Sequence, residues 1–240
     1  MRPSAAISAN EIRDRHDRLL ARLRAAAEAN GHDPDALRIV AVTKELGLEV
    51  ARAALDAGLT RLGESRIQEA EPKVVALPEA EWHFVGRLQS NKARRAVRSF
   101  ATIHSVDSFA LLGRLDALAA ELGRRPDVLL QVNVSGESAK AGFAPHQLGS
   151  AHLQPPRSAR LVGLMTIAPL GASEDEARAA FRALRVLRDR LEQVSGIGLP
   201  ELSMGMSADA EAAAAEGATL LRIGTALFGP RHATLLSSAR

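Results

Sequence analysis

Of the 31 lysines and arginines in the chain, only four are lysines: Lys44, Lys73, Lys92 and Lys140. Where a basic side chain need only bring charge, this sequence uses arginine. A primary amine condenses with an aldehyde to a Schiff base, and a guanidinium does not. Lys44 closes the run Arg38-Ile39-Val40-Ala41-Val42-Thr43-Lys44, which reads as a short strand buried on both faces of a parallel sheet. Strand alternation puts Lys44 on the face of Val42 and Val40. If that face lines a barrel, the amine emerges at the strand's carboxyl end, where α/β folds place their chemistry. A desolvated lysine there is a Schiff-base nucleophile. The competing reading is a solvated lysine that ends a strand. Lys73, in a polar helical stretch beside Pro72, reads as solvated.

A second group of residues suits an anion. Ser203-Met204-Gly205-Met206-Ser207 ends one strand and leads into a helix, with Ser207 placed as its N-cap. Gly224-Thr225 ends the next strand. Glycine lets the backbone approach a ligand, while N–H groups and hydroxyls donate to it. In barrels the loops after strands seven and eight often hold phosphate; two ordinary turns are the plainer alternative. Arg222 lies two residues before Gly224 and so faces the same side. Inside a barrel it needs a partner. That partner is a ligand, or else a carboxylate such as Glu64 or Glu201. An amine on strand one and an anion site on strands seven and eight together describe a ligand with an aldehyde and a phosphate. Pyridoxal 5′-phosphate (PLP) fits, and a phosphosugar aldolase is the competitor.

These residues need a scaffold, and the pattern supplies one. An amphipathic helix over 8–30 carries Ile12, Leu19, Leu20 and Leu23 on one side, with Gly31 as a C-cap. Strands follow at 38–44, 60–62, 82–85, 102–104, 128–134, 161–167, 201–204 and 219–223, each succeeded by a helix or helical turn. Ser173-Glu174-Asp175-Glu176 is a capping box that opens a long helix, and Ala208–Ala215 reads as a short one. Eight βα units with no linker or composition shift predict one α/β domain over 1–240, a (β/α)8 TIM barrel spanning about 38–230. A doubly wound open sheet is the alternative.

Composition narrows the class. Hydrophobic residues make up 46% of the chain, Tyr and Cys are absent, and the formal charge is +3. Without Cys there are no disulfides, thiolates or cysteine-based metal sites. With few aromatics and no block of like charge, nucleic acid is not expected as a partner. No apolar run reaches the ~18 residues of a membrane helix. Met1-Arg2-Pro3-Ser4-Ala5-Ala6 does not read as a secretory leader, so a cytoplasmic protein is expected.

The motifs Val40-Ala41-Val42-Thr43-Lys44, Gly63-Glu64, Trp82-His83-Phe84-Val85-Gly86, Leu88-Gln89-Ser90-Asn91-Lys92, His104-Ser105-Val106-Asp107, Gly163-Leu164-Met165, Ser203-Met204-Gly205-Met206-Ser207 and Arg222-Ile223-Gly224-Thr225-Ala226-Leu227-Phe228-Gly229 resemble the pyridoxal phosphate homeostasis protein family. The resemblance covers roughly residues 38–230. It implies a barrel like the N-terminal domain of alanine racemase, a fold type III PLP barrel. Lys44 would carry PLP as an internal aldimine. Ser203, Gly205, Met206, Ser207, Gly224 and Thr225 would surround its phosphate, and Arg222 would face the pyridine nitrogen and keep it unprotonated. The family is regarded as supplying PLP to other enzymes without established turnover. Two positions depart from its pattern. Ser65 stands where the family usually has Asn, which implies a weaker or water-mediated contact to the cofactor edge. Glu45-Leu46-Gly47 follows Lys44 where another basic residue is usual. Any second-lysine role would then fall to Lys140 or Lys92, and both read as solvated.

An amino-acid racemase is the alternative. Racemisation on PLP needs an acid or base on each face of the substrate. Alanine racemases use a tyrosine opposite the lysine and related decarboxylases a cysteine, and this chain has neither. Nor is a second β-domain expected in 240 residues. His83 and His104 are the remaining candidates, but their strand positions favour internal packing or hydrogen bonding. The expected protein is a monomeric, cytoplasmic PLP carrier that meets apo-PLP enzymes and neither nucleic acid nor membrane.

Overall fold

The N-terminal helix α1 (Ala9–Ala29) begins where Ser8 accepts a hydrogen bond from the Glu11 N–H. Its buried face is Ile12, Leu19, Leu23 and Ala27, a stripe at helical spacing. A computed structural model describes residues 7–137, 140–149 and 154–230 of the chain. The reading of Met1–Ala6 falls outside them.

The strands are β1 (Arg38–Val42), β2 (Arg61–Glu64), β3 (Glu81–Phe84), β4 (Thr102–Val106), β5 (Asp127–Gln131), β6 (Arg160–Met165), β7 (Glu201–Ser203) and β8 (Leu220–Ile223). Every neighbouring pair is parallel, and β8 returns to β1 to close the barrel in sequence order. The open doubly wound sheet is thereby excluded. The helices between strands are α2 (Leu48–Asp56), α3 (Ile67–Ala76), α4 (Ala93–Ser99), α5 (Phe109–Leu122), α6 (Glu174–Ser195), α7 (Ala210–Ala215) and, after β8, α8 (Thr225–Phe228). Between β5 and β6 the described residues hold only a 3₁₀ turn at Pro145–Gln147.

Helix ends follow the local chemistry. The capping box at Ser173 and Glu176 opens α6, and Gly196, at φ 69°, closes it. Gly123, at φ 60°, closes α5. Helix α7 starts two residues later than expected, with Asp209 at its N-cap. Ser207 instead accepts from the Ala226 N–H at 3.1 Å, and so joins the β7 loop to the start of α8.

The apolar core lies mainly between the barrel wall and its helices, where Phe84, Phe100, Ile103, Leu115 and Phe181 are buried. Within the barrel there is a separate small cluster, Val40, Leu129, Met165 and Leu220. Strands β3, β4, β7 and β8 also bury polar side chains, among them His83, His104, Ser203 and Arg222. Barrel interiors are ordinarily filled by branched apolar side chains, so this polar band calls for a reason. Glu216, buried at the end of α7, accepts from Arg178 at 2.9 Å and Arg182 at 2.8 Å and so fastens α7 to α6. Burial works against its charge, but those hydrogen bonds hold its carboxyl below the usual range. No helix among the described residues is long and apolar enough to cross a membrane.

Candidate functional site

A cavity of about 340 Å³ opens at the carboxyl ends of the strands. Lys44, Ser65, Met206, Ser207, Arg222, Gly224 and Thr225 all line it. Seven of the nine expected residues, from four separate strand ends, therefore meet at one concavity of ligand size. Val42, Leu46, Val85, Ile167 and Phe228 give it an apolar wall. Sequence reading missed these five. Val85 and Val42 had a signal, since each lies two residues along a strand from an inward-facing side chain.

Ser203 and Gly205 are not on the wall but directly behind it. Ser203 is fully buried, and its Oγ accepts from Arg222 Nη1 at 2.6 Å. Gly205 sits at φ +87°, and a Cβ there would fall 2.5 Å from the Ala213 Cβ. Only glycine lets the β7 loop turn this tightly over α7.

Lys44 lies two residues beyond β1 and is part-exposed. It is the one lysine lining the cavity, and its amine bonds to no described residue. The backbone around it is held firmly. Lys73 Nζ donates to the Thr43 carbonyl at 2.9 Å and to Glu64 Oε1 at 2.7 Å, and Thr43 Oγ1 donates to the same oxygen at 2.7 Å. The expectation of a solvated Lys73 is thus wrong. It continues the buried stripe of Ile67 and Ala70 on α3, and its charge is met by a carboxylate from β2. After Lys44, Glu45 adopts φ 64°, unusual for a residue with a Cβ.

Arg222 is 5% exposed and makes no ion pair among the described residues, neither with Glu64 nor with Glu201, although the charge of Asp209 reaches it. Glu64 is taken by Lys73, and Glu201 by Arg38 at 2.6 Å. The guanidinium donates instead to Ser203 Oγ and, at 2.8 Å, to the Thr166 carbonyl. Burial lowers its pKa to about 10. At pH 7 that still leaves it charged by roughly a thousand to one. A buried cation at a cavity, with no carboxylate in ion-pair contact among the described residues, suits a ligand that brings an acceptor.

On the anion side, Asp209 Oδ1 accepts from the Met206 N–H at 2.6 Å, and Ser207 Oγ holds Ala226. Ser207 and Thr225, the first residue of α8, line the cavity and bring hydroxyls to its wall. Lys92 lines an adjoining cavity that shares Ser65 and includes Arg66 and Arg87. Lys140 is not simply solvated. Its amine pairs with Glu137 at 2.9 Å and donates to the Ala168 carbonyl at 3.1 Å.

The chain matches the family model for the alanine racemase N-terminal domain over residues 15–232. A pyridoxal phosphate homeostasis protein from Synechocystis is 44% identical over 203 residues, 82% of this chain and 93% of its own length. This chain belongs to the pyridoxal phosphate homeostasis protein family. PipY of Synechococcus elongatus, solved with PLP bound, superposes with a TM-score of 0.76 at 43% identity, covering 86% of this chain and 98% of that one. Alanine racemase from Clostridium difficile shares only the fold, with a TM-score of 0.71 at 16% identity over 90% of this chain and 60% of its own. Among members of this barrel family a catalytic pair on opposite faces of a substrate would have to line the cavity. His83 and His104 do not. They are buried below Arg222, bonded to each other at 2.9 Å.

Proposed function

We propose that this protein binds PLP at the barrel mouth, with Lys44 as the covalent attachment, and passes it to apo-PLP enzymes without turning over a substrate. The observation that carries the reading is that the Lys44 amine and a buried Arg222, which makes no close ion pair among the described residues, line one cavity. PLP supplies an aldehyde that condenses with a primary amine and releases water. Lys44 supplies that amine, and the Lys73–Glu64–Thr43 contacts fix the backbone that carries it. Arg222, held at two nitrogens, would offer its remaining N–H groups to the pyridine nitrogen of the cofactor. A permanent donor there keeps the nitrogen unprotonated and the ring a weak electron sink, which suits storage over catalysis. Ser207, Thr225 and the turns at Gly205 and Gly224 would hold the phosphate. Ser65 contacts the ring edge, directly or through water.

The protein acts as a cytoplasmic monomer in this reading, its open cavity mouth giving recipient enzymes access. The test is absorbance. Wild-type protein incubated with PLP and desalted should retain a visible Schiff-base band, and Lys44→Ala should lose it. Transfer is then read as activity restored to an apo-aminotransferase. Proton exchange at the α-carbon of alanine at enzymatic rates would refute the carrier reading in favour of a racemase.

A further inference from the structure

The polar band inside the barrel is continuous. From Arg222, below the cavity, Ser203 Oγ is 2.6 Å away. Ser203 Oγ is 2.7 Å from His104 Nδ1, and His104 Nε2 is 2.9 Å from His83 Nδ1. His83 Nε2 lies 3.2 Å from Glu81 Oε1, close enough for an ion pair but too oblique for a good hydrogen bond. Glu81 opens β3, at the amino-terminal end of the barrel, and its side chain is 41% exposed. Four elements, β8, β7, β4 and β3, thus contribute one line that runs from the cavity floor to solvent at the opposite face.

Its direction follows from the donors. Arg222 only donates, so Ser203 Oγ accepts from it. The Ser203 proton then goes to His104 Nδ1, which places the His104 ring proton on Nε2. That proton goes to His83 Nδ1, and the His83 proton sits on Nε2, facing the Glu81 carboxylate. Neutral rings in the opposite sense would turn the His83 Nε2 lone pair onto a carboxylate. The uncharged line therefore has one sense. Adding one solvent proton changes it. Doubly protonated His83 donates from Nδ1, so His104 must accept at Nε2 and carry its proton on Nδ1. Ser203 Oγ then accepts from both His104 and Arg222, and its own proton turns elsewhere.

We infer that His104 and His83 are positioning residues for the Arg222 end of the cavity, and that protonation of the His83–Glu81 pair at the far face reverses the line and changes what Ser203 offers Arg222. The charged groups facing the pair are Arg222 above and, below, Arg61 at 3.3 Å from Glu81, Arg38 and the Glu201 bonded to it. Burial and the neighbouring His83 and Arg222 hold His104 well below the ordinary histidine range, and His83 is the ring that lies beside a carboxylate. The inference rests on the PLP reading only for its consequence at the cofactor; the line itself belongs to the protein alone.

The experiment uses the full chain labelled with ¹⁵N-histidine, without cofactor. At pH 8 both rings should show a protonated Nε2 and a bare Nδ1. On acidification, double protonation of His83 and the tautomer change of His104 to Nδ1–H should share one midpoint. Glu81→Gln removes the attracting charge from a part-exposed site and should lower that midpoint by about one pH unit; Glu81→Asp should restore most of it. A His104 ring that keeps Nε2–H through the His83 titration overturns the inference, and so does a midpoint unmoved in Glu81→Gln. With PLP added, the pH profile of the visible band should shift with the same substitution. No band at all would refute PLP binding while the histidine spectra still decide the line.

Discussion

Replacing Lys73 with methionine tests the packing beneath the amine. Lys73 and Glu64 side chains are 8% and 0% exposed, with Nζ and Oε1 2.7 Å apart. Glu64 Oε2 is buried with no hydrogen-bond partner. Lys73→Met leaves that carboxylate with one hydroxyl donor, Thr43 Oγ1. Removing one member of a buried pair costs about 3–5 kcal/mol. Glu64→Leu leaves a buried ammonium that keeps one bond, to the Thr43 carbonyl, and should cost about 3 kcal/mol for the same reason. The double substitution removes both charges and should be milder than either single change, within about 2 kcal/mol of wild type. The single costs sum to about 6–8 kcal/mol, so a double mutant within about 2 kcal/mol of wild type implies a coupling energy of about 4 kcal/mol or more. Guanidinium unfolding at pH 7 gives all four stabilities. The Lys73→Met protein should also bind PLP more weakly, because the Thr43 carbonyl beside Lys44 loses its anchor. If Lys73→Met costs less than about 1 kcal/mol, the side chain is solvated after all and the account of the Lys44 support fails.

A methyl group at Gly86 would sit 2.1 Å from the Ser65 carbonyl oxygen, a backbone atom that cannot step aside. Gly86→Ala should therefore destabilise by about 2–3 kcal/mol and weaken PLP retention by displacing Ser65; thermal unfolding and desalting of the loaded protein check the two effects. Glu216→Gln should cost about 2 kcal/mol at pH 7, since Arg178 and Arg182 lose a charged acceptor. The Glu216 carboxyl is depressed in the folded protein, so its contribution is present above the unfolded carboxyl pKa and is lost as pH falls through the folded one. The stability gap between wild type and Glu216→Gln should thus close in acid; a gap constant from pH 7 to below about pH 4 would refute the assignment.

The barrel was legible because strands such as β1, β5, β6 and β8 are short, largely apolar runs, and each strand is followed by a turn or helix. Edges were not. β5 stops at Gln131 rather than Val134, because beyond it Val132 meets Phe143 in an isolated bridge. Ser207 and Asp209 are both good caps two residues apart, and the chain gives the helix to Asp209 because Ser207 serves the turn after β8. Lys73 was misread for a different reason. Its neighbours are polar, yet it falls at the third step of the Ile67, Ala70 stripe. A charge on an apolar stripe asks for a buried opposite charge, and Glu64, nine residues earlier, was available.

The same logic explains why the barrel interior is polar. Arg222 sits in register beside Val40 of β1, two residues short of the strand's end. A cation at that depth must be solvated by the protein, by a ligand, or by both. The protein supplies two acceptors, Ser203 Oγ and the Thr166 carbonyl. A hydroxyl that accepts from arginine has a proton to place, which calls for His104; a neutral imidazole that accepts on one nitrogen donates from the other, which calls for His83. The chain of demands ends only where solvent and a carboxylate are reached, at Glu81. One arginine at the cavity floor therefore fixes residue types on three other strands. Sequence could show each histidine at an inward position, but only closure of the barrel puts β4 opposite β7 and β8 and joins them.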